Sequence, residues 1–222
     1  MKYSDCLAEW LVKLGYSHCF YVGGGNIMHL LESLSTHLDC RAVINEVAAG
    51  VAAEYFNETS PRGKALALVT AGPGLTNIIT AMAGAYLESR ELLVIGGQVK
   101  TADLARGRLR QRGIQEIDGV SIARPVSVIS ELIDEPINYS QFSKRVLASR
   151  VGRKGPVFLE IPLDVQARSV SFNSNEDITE DSSSPVVSDQ MLAQLVDLIC
   201  QAKRPMFLVG GGVSRDLMQD LS

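Results

Sequence analysis

The order of apolar segments along this 222-residue chain predicts an α/β fold, a three-layer doubly wound sheet of six parallel strands. Short apolar runs alternate with segments of helical periodicity. Glycine-rich turns follow several of these runs and separate them from the helices. Because strand–helix–strand crossovers are right-handed, this alternation places the strands parallel, with helices on both faces.

Each predicted strand is an apolar run, and each predicted helix has apolar residues three or four positions apart. The strands are predicted at 17–22, 41–44, 64–70, 92–95, 125–129 and 157–161, and the helices at about 4–14, 26–38, 46–57, 75–87, within 114–123, and at 139–150. Strand 64–70 is apolar enough to be covered on both faces, and strand 41–44 is also expected to be buried. Ser4 or Asp5 is expected to cap the first helix, and Asn26 the second.

Two segments interrupt this alternation. Residues 100–113 are polar and rich in arginine, which predicts a long loop at the ligand-binding edge of the sheet. Residues 166–185 are rich in serine, asparagine and acidic residues, which is typical of a linker. A helix at 189–202, a strand at 205–209 and the glycine turn 210–212 are then predicted as the first αβ unit of a second α/β domain.

The chain is therefore divided into a first domain at 1–168, a linker at 169–187 and the incomplete start of a second domain at 188–222. A single αβ unit cannot bury both of its faces. The sequence is thus interpreted as a fragment of a longer polypeptide.

Composition argues against several classes of protein. The chain is 46% hydrophobic and 21% charged, so it can form a core, and its net charge of −4 argues against a nucleic-acid partner. We find no apolar run that could span a bilayer and no secretory leader, so a cytoplasmic protein without a membrane partner is expected. The four cysteines lack CxxC spacing and are expected to be buried, reduced thiols. The three histidines form no metal-binding pair, so no metal site is expected within this segment.

The strongest candidate for chemistry is Glu46, which follows the predicted strand 41–44 at its carboxyl end. In open α/β sheets, ligands bind outside the carboxyl ends of the strands, where the glycine turns 23–25 and 72–74 are also expected. Glycine lets a backbone approach a ligand closely. Two plainer interpretations stay open: Glu46 as an acid in the first turn of a helix, and the glycines as tight turns only.

Neither glycine turn fits a nucleotide-binding motif. No Gly-Lys-Ser/Thr sequence follows either turn, which argues against a P-loop. Gly23 and Gly25 have the spacing of a GxGxxG fingerprint, but Met28 stands at the position of the third glycine. A dinucleotide-binding function is therefore only weakly indicated.

Several motifs, taken together and in order, resemble those of thiamine-diphosphate enzymes of the acetolactate synthase type. The motifs are FYVGGGNIM at 20–28, Asn45-Glu46 with its small-residue helix, VTAGPGLTN at 69–77, LVIGGQV at 93–99, QEID at 115–118 and GPVFLEIPLDV at 155–165. They follow the family's order over about residues 1–168. Residues 204–213 are similar to the start of the family's central domain.

The resemblance implies a domain that binds the pyrimidine ring of thiamine diphosphate. Glu46 matches the carboxylate that hydrogen-bonds to a ring nitrogen and favours the imino form of the neighbouring amino group. Gln115 matches a glutamine near the reacting centre, and these two are the expected catalytic residues. The cofactor-binding residues that the resemblance implies are Gly24, Gly25, Glu46, Thr70, Gly72, Pro73 and Asn77.

The resemblance further implies a transferase or lyase, namely a carboligase or decarboxylase that acts on a 2-keto acid such as pyruvate. Three positions depart from acetolactate synthases: Ile114 replaces a usual phenylalanine, Asn45 a common histidine and Val47 a common glutamine. The departures leave open the same cofactor with an aldehyde or keto-sugar acceptor. A non-catalytic Rossmann-like nucleotide-binding domain is the alternative of a different class. The arginines of 100–113 either meet an anionic substrate or form a solvated surface, and the second interpretation is preferred.

The family's C-terminal domain, which binds the cofactor diphosphate and Mg²⁺ through a GDG…N motif, has no counterpart in these 222 residues. In the family that domain comes from a neighbouring subunit, which implies a homodimer or homotetramer with shared active sites. This segment alone is expected to bind the cofactor weakly and to be inactive. The sequence does not decide the exact substrate, the full chain length or whether FAD is bound.

Overall fold

Six strands of this computed structural model pair into one parallel sheet. They are β1 at Tyr16–Tyr21, β2 at Asp39–Ala42, β3 at Lys64–Val69, β4 at Leu92–Gln98, β5 at Ile129–Leu132 and β6 at Pro156–Pro162. Their order across the sheet is β2-β1-β3-β4-β6-β5, and all neighbours are parallel. The chain therefore winds from β1 to one edge and then to the other, which confirms the doubly wound fold. The structure describes residues 1–172, 187–210 and 213.

Helices cover both faces of this sheet and give the predicted three layers. The α-helices are α1 at Tyr3–Lys13, α2 at Met28–Ser35, α3 at Glu46–Thr59, α4 at Pro73–Leu87, α5 at Gly119–Ala123, α6 at Tyr139–Leu147, α7 at Leu163–Gln166 and α8 at Asp189–Gln201. α1 packs against α2 and α7, whereas α3 packs against α4 and β3. Short 3₁₀ turns occupy Gly25–Ile27, Thr101–Asp103 and Arg124–Val126.

The core lies where the central strands contact α3 and α4. β3, β4 and β6 are buried along nearly all of their length, because helices cover both of their faces. The two helices meet through small residues: Ala49, Ala53, Ala81 and Ala85 are buried, and a side chain at Gly50 would overlap Ala81. The small residues therefore set the separation of α3 and α4, and with it the positions of their first residues.

The prediction of a buried second strand at 41–44 was wrong. β2 spans Asp39–Ala42, is mostly exposed, and is followed by Ile44 with 95% of its surface exposed. The reason is topological, since β2 lies at the edge of the sheet and pairs only with β1. Apolar residues alone did not distinguish an edge strand from a central one.

The strand predicted at 125–129 was also misplaced. Residues Arg124–Val126 form a 3₁₀ turn, and β5 begins only at Ile129. Pro125 has no N–H to donate to a strand neighbour, which favours the turn. The strand instead includes Ser130 and Glu131, which are tolerated because β5 lies at the other edge of the sheet.

The predicted helix caps were wrong as well. The N-cap of α1 is Lys2, and the Asp5 carboxylate accepts a hydrogen bond from the Lys2 N–H at 3.1 Å. Ser4 is instead buried and accepts a hydrogen bond from Ser33 Oγ at 2.8 Å. Asn26 lies inside the 3₁₀ turn before α2 and does not cap that helix.

The chain divides into two compact units, Met1–Asp177 and Ile178–Ser222. In the second unit the predicted helix is confirmed as α8, with Ser188 as its N-cap. The strand predicted at 205–209 is absent from the described residues 205–210, because a strand requires a neighbouring strand to receive its hydrogen bonds. Most of the predicted linker, at 173–186, and positions 211–212 of the glycine turn lie outside the described residues.

The expectation of four buried thiols holds only in part. Cys6 and Cys19 are buried, Cys40 is half-buried, and Cys200 is exposed on α8. Among the described helices, none has both the length and the apolar character that crossing a membrane requires.

A methyl group at Gly97 would overlap the carbonyl of Asn26, because β4 meets the 3₁₀ turn backbone to backbone. We predict that Gly97→Ala lowers the free energy of unfolding by about 2 kcal/mol, a usual cost of overpacking. Gly84→Ala is the matched control, since nothing lies within 4 Å of a methyl group there, and alanine stabilises a helix by about 1 kcal/mol over glycine. Urea denaturation measures both changes, and equal stability of the two variants would contradict this packing.

Candidate active site

The local structure places Glu46 at the start of α3, directly after β2 and a short connection. Asn45 is the N-cap, and its side-chain oxygen accepts a hydrogen bond from the Ala48 N–H at 2.8 Å. This cap fixes the first turn of the helix. Glu46 is buried, with 7% of its surface exposed. The cap therefore sets the direction of a buried carboxylate at the carboxyl edge of the sheet.

Asn77, in the second turn of α4, binds this carboxylate. Its Nδ2 donates a hydrogen bond to Glu46 Oε2 at 2.8 Å. Glu46 Oε1 accepts no hydrogen bond from any residue that the structure describes. A methyl group on Gly74 would lie 3.4 Å from Oε1, so the absence of a side chain there leaves space beside this oxygen. One carboxylate oxygen is thus held by the protein and the other is available to a ligand.

Thr70 directly follows β3 and packs between two glycines beside this carboxylate. A side chain at Gly24 would overlap the Thr70 side chain, and one at Gly74 would lie 3.2 Å from Thr70 Cγ2. Thr70 Oγ1 is buried and has no hydrogen-bond partner among the described residues. Unpaired buried hydroxyls are uncommon in native proteins and often mark functional sites.

The turn before α4 brings Gln115 into the same region. Gly72 has φ +67°, and a side chain there would lie 2.6 Å from the Gln115 carbonyl oxygen. Gln115 itself has φ +61°, a conformation that non-glycine residues rarely adopt. Pro73 follows as the first residue of α4, where its missing N–H costs nothing. The backbone of Gln115 is thus held over the glycine turn.

Gly25 and Gln115 share a cavity of about 340 Å³, which Val99, Lys100 and Ile114 also line. The site residues therefore form two groups of neighbours. The first group is Gly24, Thr70, Gly74, Glu46 and Asn77, and the second is Gly72, Gln115 and Gly25. Seven of the eight residues predicted from the resemblance belong to these groups, and the eighth, Pro73, directly follows Gly72. Their roles toward a cofactor stay predictions.

Sequence reasoning missed Glu160, a buried acid in the central strand β6. Gln98 Nε2 donates hydrogen bonds to Glu160 Oε1 and to the Ile117 carbonyl, each at 2.9 Å. Burial, reinforced by the charge of Asp118, raises the pKa of Glu160 to about 8. An acid within an otherwise apolar strand was the signal that could have identified it.

The family of the chain follows from a comparison with known proteins. Residues 1–122 match the family described as thiamine pyrophosphate enzyme, N-terminal TPP binding domain. The chain belongs to this family. Within the described residues, no cluster of histidine, cysteine or acidic side chains is arranged to hold a metal ion.

The similar proteins include acetolactate synthases and a glyoxylate carboligase. The chain is 28% identical over 213 residues to acetolactate synthase isozyme 1 large subunit of Escherichia coli (strain K12), covering 95% of the chain and 37% of that protein. It is 28% identical over 216 residues to glyoxylate carboligase of Escherichia coli O157:H7, covering 96% of the chain and 36% of that protein. It is 31% identical over 218 residues to acetolactate synthase large subunit of Corynebacterium glutamicum, covering 96% and 34%. The chain thus spans a little over a third of these relatives' length.

Thr70→Val replaces the unpaired hydroxyl with a methyl group of similar size. We predict that this change raises the free energy of unfolding by about 1 kcal/mol, because a buried polar atom without a partner is removed. Thr76→Val is the control, since Thr76 Oγ1 donates a hydrogen bond to the Pro73 carbonyl at 3.1 Å and should gain nothing. A loss of stability for Thr70→Val in urea denaturation would show that the hydroxyl is satisfied.

The raised pKa of Glu160 predicts a stability that depends on pH. The folded chain retains this proton up to about pH 8, whereas an unfolded glutamate, with its ordinary pKa, loses it near pH 4.5. The stabilising contribution is therefore complete below about pH 4.5 and is lost as the pH rises toward 8. Its full size is a few kcal/mol at most, at about 1.4 kcal/mol for each pKa unit.

Glu160→Gln should keep the size and shape of the neutral acid and remove the pH-dependent contribution of Glu160 to stability. Urea denaturation at several pH values between 5 and 9 compares the two chains. The wild-type chain should lose stability relative to the variant across this range. Parallel curves would show that Glu160 is charged in the folded chain.

Proposed function

We propose that this chain forms the pyrimidine-binding part of a thiamine-diphosphate-dependent carboligase or decarboxylase that acts on a 2-keto acid such as pyruvate. The observation that carries the proposal is the buried Glu46 carboxylate. Asn77 donates a hydrogen bond to one of its oxygens, and no described residue donates to the other. The family match names the cofactor. The names of the relatives, acetolactate synthase and glyoxylate carboligase, support the reaction class.

The residues at this edge fit the pyrimidine end of the cofactor. Glu46 Oε1 would accept a hydrogen bond from a protonated ring nitrogen, and burial strengthens that bond by excluding water. Asn77 keeps the carboxylate in one orientation. Gly24, Gly72 and Gly74 lack the side chains that would fill the space. When bound, thiamine diphosphate supplies a nucleophilic carbon and an electron sink for decarboxylation.

Gln115 is proposed to act on the substrate side. Its backbone is held against Gly72, and it lines the 340 Å³ cavity beside Gly25. A side-chain amide both donates and accepts hydrogen bonds, so it could orient a keto acid at its carbonyl or carboxylate oxygen. Ile114, which stands next to it, is 85% exposed and leaves an apolar surface where the acceptor would enter.

The second candidate function keeps the cofactor and changes the acceptor substrate. Ile114 replaces the aromatic residue usual in acetolactate synthases, so an aldehyde or keto-sugar acceptor with the same cofactor is an alternative to a second keto acid. The family match gives no support to a non-catalytic nucleotide-binding domain.

We further propose that a second copy of the full-length protein completes the site. Ile44 and Ile114 flank Glu46 and Gln115 and are 95% and 85% exposed, so apolar surface surrounds the candidate site. The diphosphate, Mg²⁺ and, in a flavin-containing enzyme, FAD would then be held by domains outside this segment. The assembly would be a homodimer or homotetramer in the cytoplasm. The isolated segment would then be inactive.

The test compares two buried glutamates of the same helix in the full-length protein. Glu46 and Glu54 are 7% and 8% exposed, but Glu54 pairs with Arg90 at 2.8 Å. Glu54 lies about two turns further along α3 than Glu46. We predict that Glu46→Gln still folds and lowers carbon dioxide release from pyruvate or a related keto acid by at least about 100-fold, the lower range for loss of a proton-transfer partner. Glu54→Gln should lower stability and leave turnover per folded molecule unchanged.

Calorimetric titration of thiamine diphosphate with Mg²⁺ completes the comparison. Binding by the wild-type protein is expected, and its absence would reduce the family relationship to a shared fold. Normal turnover by Glu46→Gln would remove Glu46 from the chemistry. Release of carbon dioxide from none of the keto acids tested, with cofactor bound, would contradict the proposed substrate class.

A further inference from the structure

One carboxylate closes the base of the arginine-rich loop. We define the arginine loop as residues 105–113, within the long loop predicted from the sequence. Glu116 Oε1 accepts a hydrogen bond from the Ala105 N–H at 2.5 Å, and Oε2 accepts from the Arg112 and Gly113 N–H groups at 2.8 and 3.0 Å. The Glu116 side chain therefore joins the two ends of the arginine loop and fixes the backbone from which the loop's arginines extend.

The arginines of this region have few acidic partners. Arg106 forms an ion pair with Asp134 at 3.2 Å. Among the described residues, none forms an ion pair or side-chain hydrogen bond with the guanidinium groups of Arg108, Arg110 or Arg124. An unpaired guanidinium is strongly suited to bind an oxyanion with two parallel hydrogen bonds.

These side chains line cavities and do not simply project from the surface. A cavity of about 470 Å³ is lined by Arg106, Arg110 and Arg124 together with the apolar side chains of Leu109 and Leu132. An adjoining cavity of about 220 Å³ is lined by arginines at 106, 108 and 112. The combination of cationic and apolar lining fits an organic molecule with an anionic group.

The acids that line the larger cavity offset this charge only in part. Glu116 is bound to three backbone N–H groups, and these donors lower its pKa although burial opposes the charge. Asp118 caps α5 by accepting hydrogen bonds from Ser121 N–H at 2.9 Å and Ser121 Oγ at 2.6 Å. Glu160, whose pKa is raised to about 8, is largely uncharged at neutral pH. Two acids are thus bonded locally and the third is neutral, whereas Arg110 and Arg124 have no acidic partner among the described residues.

The cavity lies beside the candidate active site. Gln115 immediately precedes Glu116, and Gln98 donates to the Ile117 carbonyl at 2.9 Å, so the segment 113–117 separates the two cavities. We propose that the arginine loop binds the phosphate group of a phosphorylated acceptor substrate, whose carbonyl carbon lies on the Gln115 side. This inference rests on the proposed function, and it revises the preference for a purely solvated surface. A phosphate is favoured over a carboxylate because several guanidinium groups face one space.

Calorimetry on the full-length protein tests the inference with three probes that share a three-carbon skeleton: glycerol 3-phosphate, glycerate and glycerol. Glycerol 3-phosphate should bind at least about tenfold more tightly than glycerate, which corresponds to about 1.4 kcal/mol, because a phosphate can accept more charge-assisted hydrogen bonds than a carboxylate. Glycerol, which has no charge, should not bind. Equal affinity for glycerate, or no binding of glycerol 3-phosphate, would overturn the proposal.

A double variant, Arg110→Gln/Arg124→Gln, locates the binding. Its affinity for glycerol 3-phosphate should fall at least about tenfold. Arg62→Gln is the control. Arg62 is exposed in the turn before β3, at the amino ends of the strands, so this substitution should leave the affinity unchanged. Unchanged affinity in the double variant, or an equal loss in the control, would reject the arginine loop as the site.

Thiamine diphosphate titrated into the same samples separates the two proposals. Cofactor binding without phosphate selectivity would overturn only the arginine-loop proposal. Phosphate selectivity without cofactor binding would overturn the proposed function and would leave the anion site without an acceptor role.

Discussion

The hydrogen bond from Asn77 to Glu46 connects the two helices on which the candidate site depends. It forms because α3 and α4 pack through alanines and Gly50, which lets Asn77 Nδ2 approach Glu46 Oε2 to 2.8 Å. Larger residues along this contact would separate the helices and leave the carboxylate without its partner. The small-residue packing therefore determines the orientation of one buried acid, and that orientation decides which of its oxygens faces a ligand.

A strained residue and an unpaired hydroxyl also lie at this edge of the sheet. Gln115 has φ +61°, and its backbone approaches so closely that a side chain at Gly72 would overlap it. Thr70 Oγ1, between two glycines, has no hydrogen-bond partner among the described residues. Such features lower the stability of the free chain, and native proteins retain them mainly at functional sites. The buried apolar strands β3, β4 and β6 supply the stability that offsets them.

Much of this arrangement was predictable from the sequence. Alternating apolar runs gave the doubly wound sheet, and the resemblance selected Glu46 and Asn77, whose contact the structure then revealed. Edge strands were harder, because β2 and β5 are defined by their missing neighbours and not by their composition. The protonation state of Glu160 could not be predicted from the sequence, since its pKa depends on burial and on acids that are distant in the sequence. Local motifs thus located the site, whereas tertiary neighbours set its electrostatics.

The central claim is that the free oxygen of Glu46 meets the pyrimidine ring of thiamine diphosphate. The most direct measurement is a crystal structure of the full-length protein with thiamine diphosphate and Mg²⁺ bound. The account predicts a distance of about 2.6–3.2 Å between Glu46 Oε1 and a ring nitrogen, with Asn77 still bound to Oε2. A pyrimidine ring that contacts a different side chain, with Glu46 turned toward solvent or bridged only by water, would contradict it.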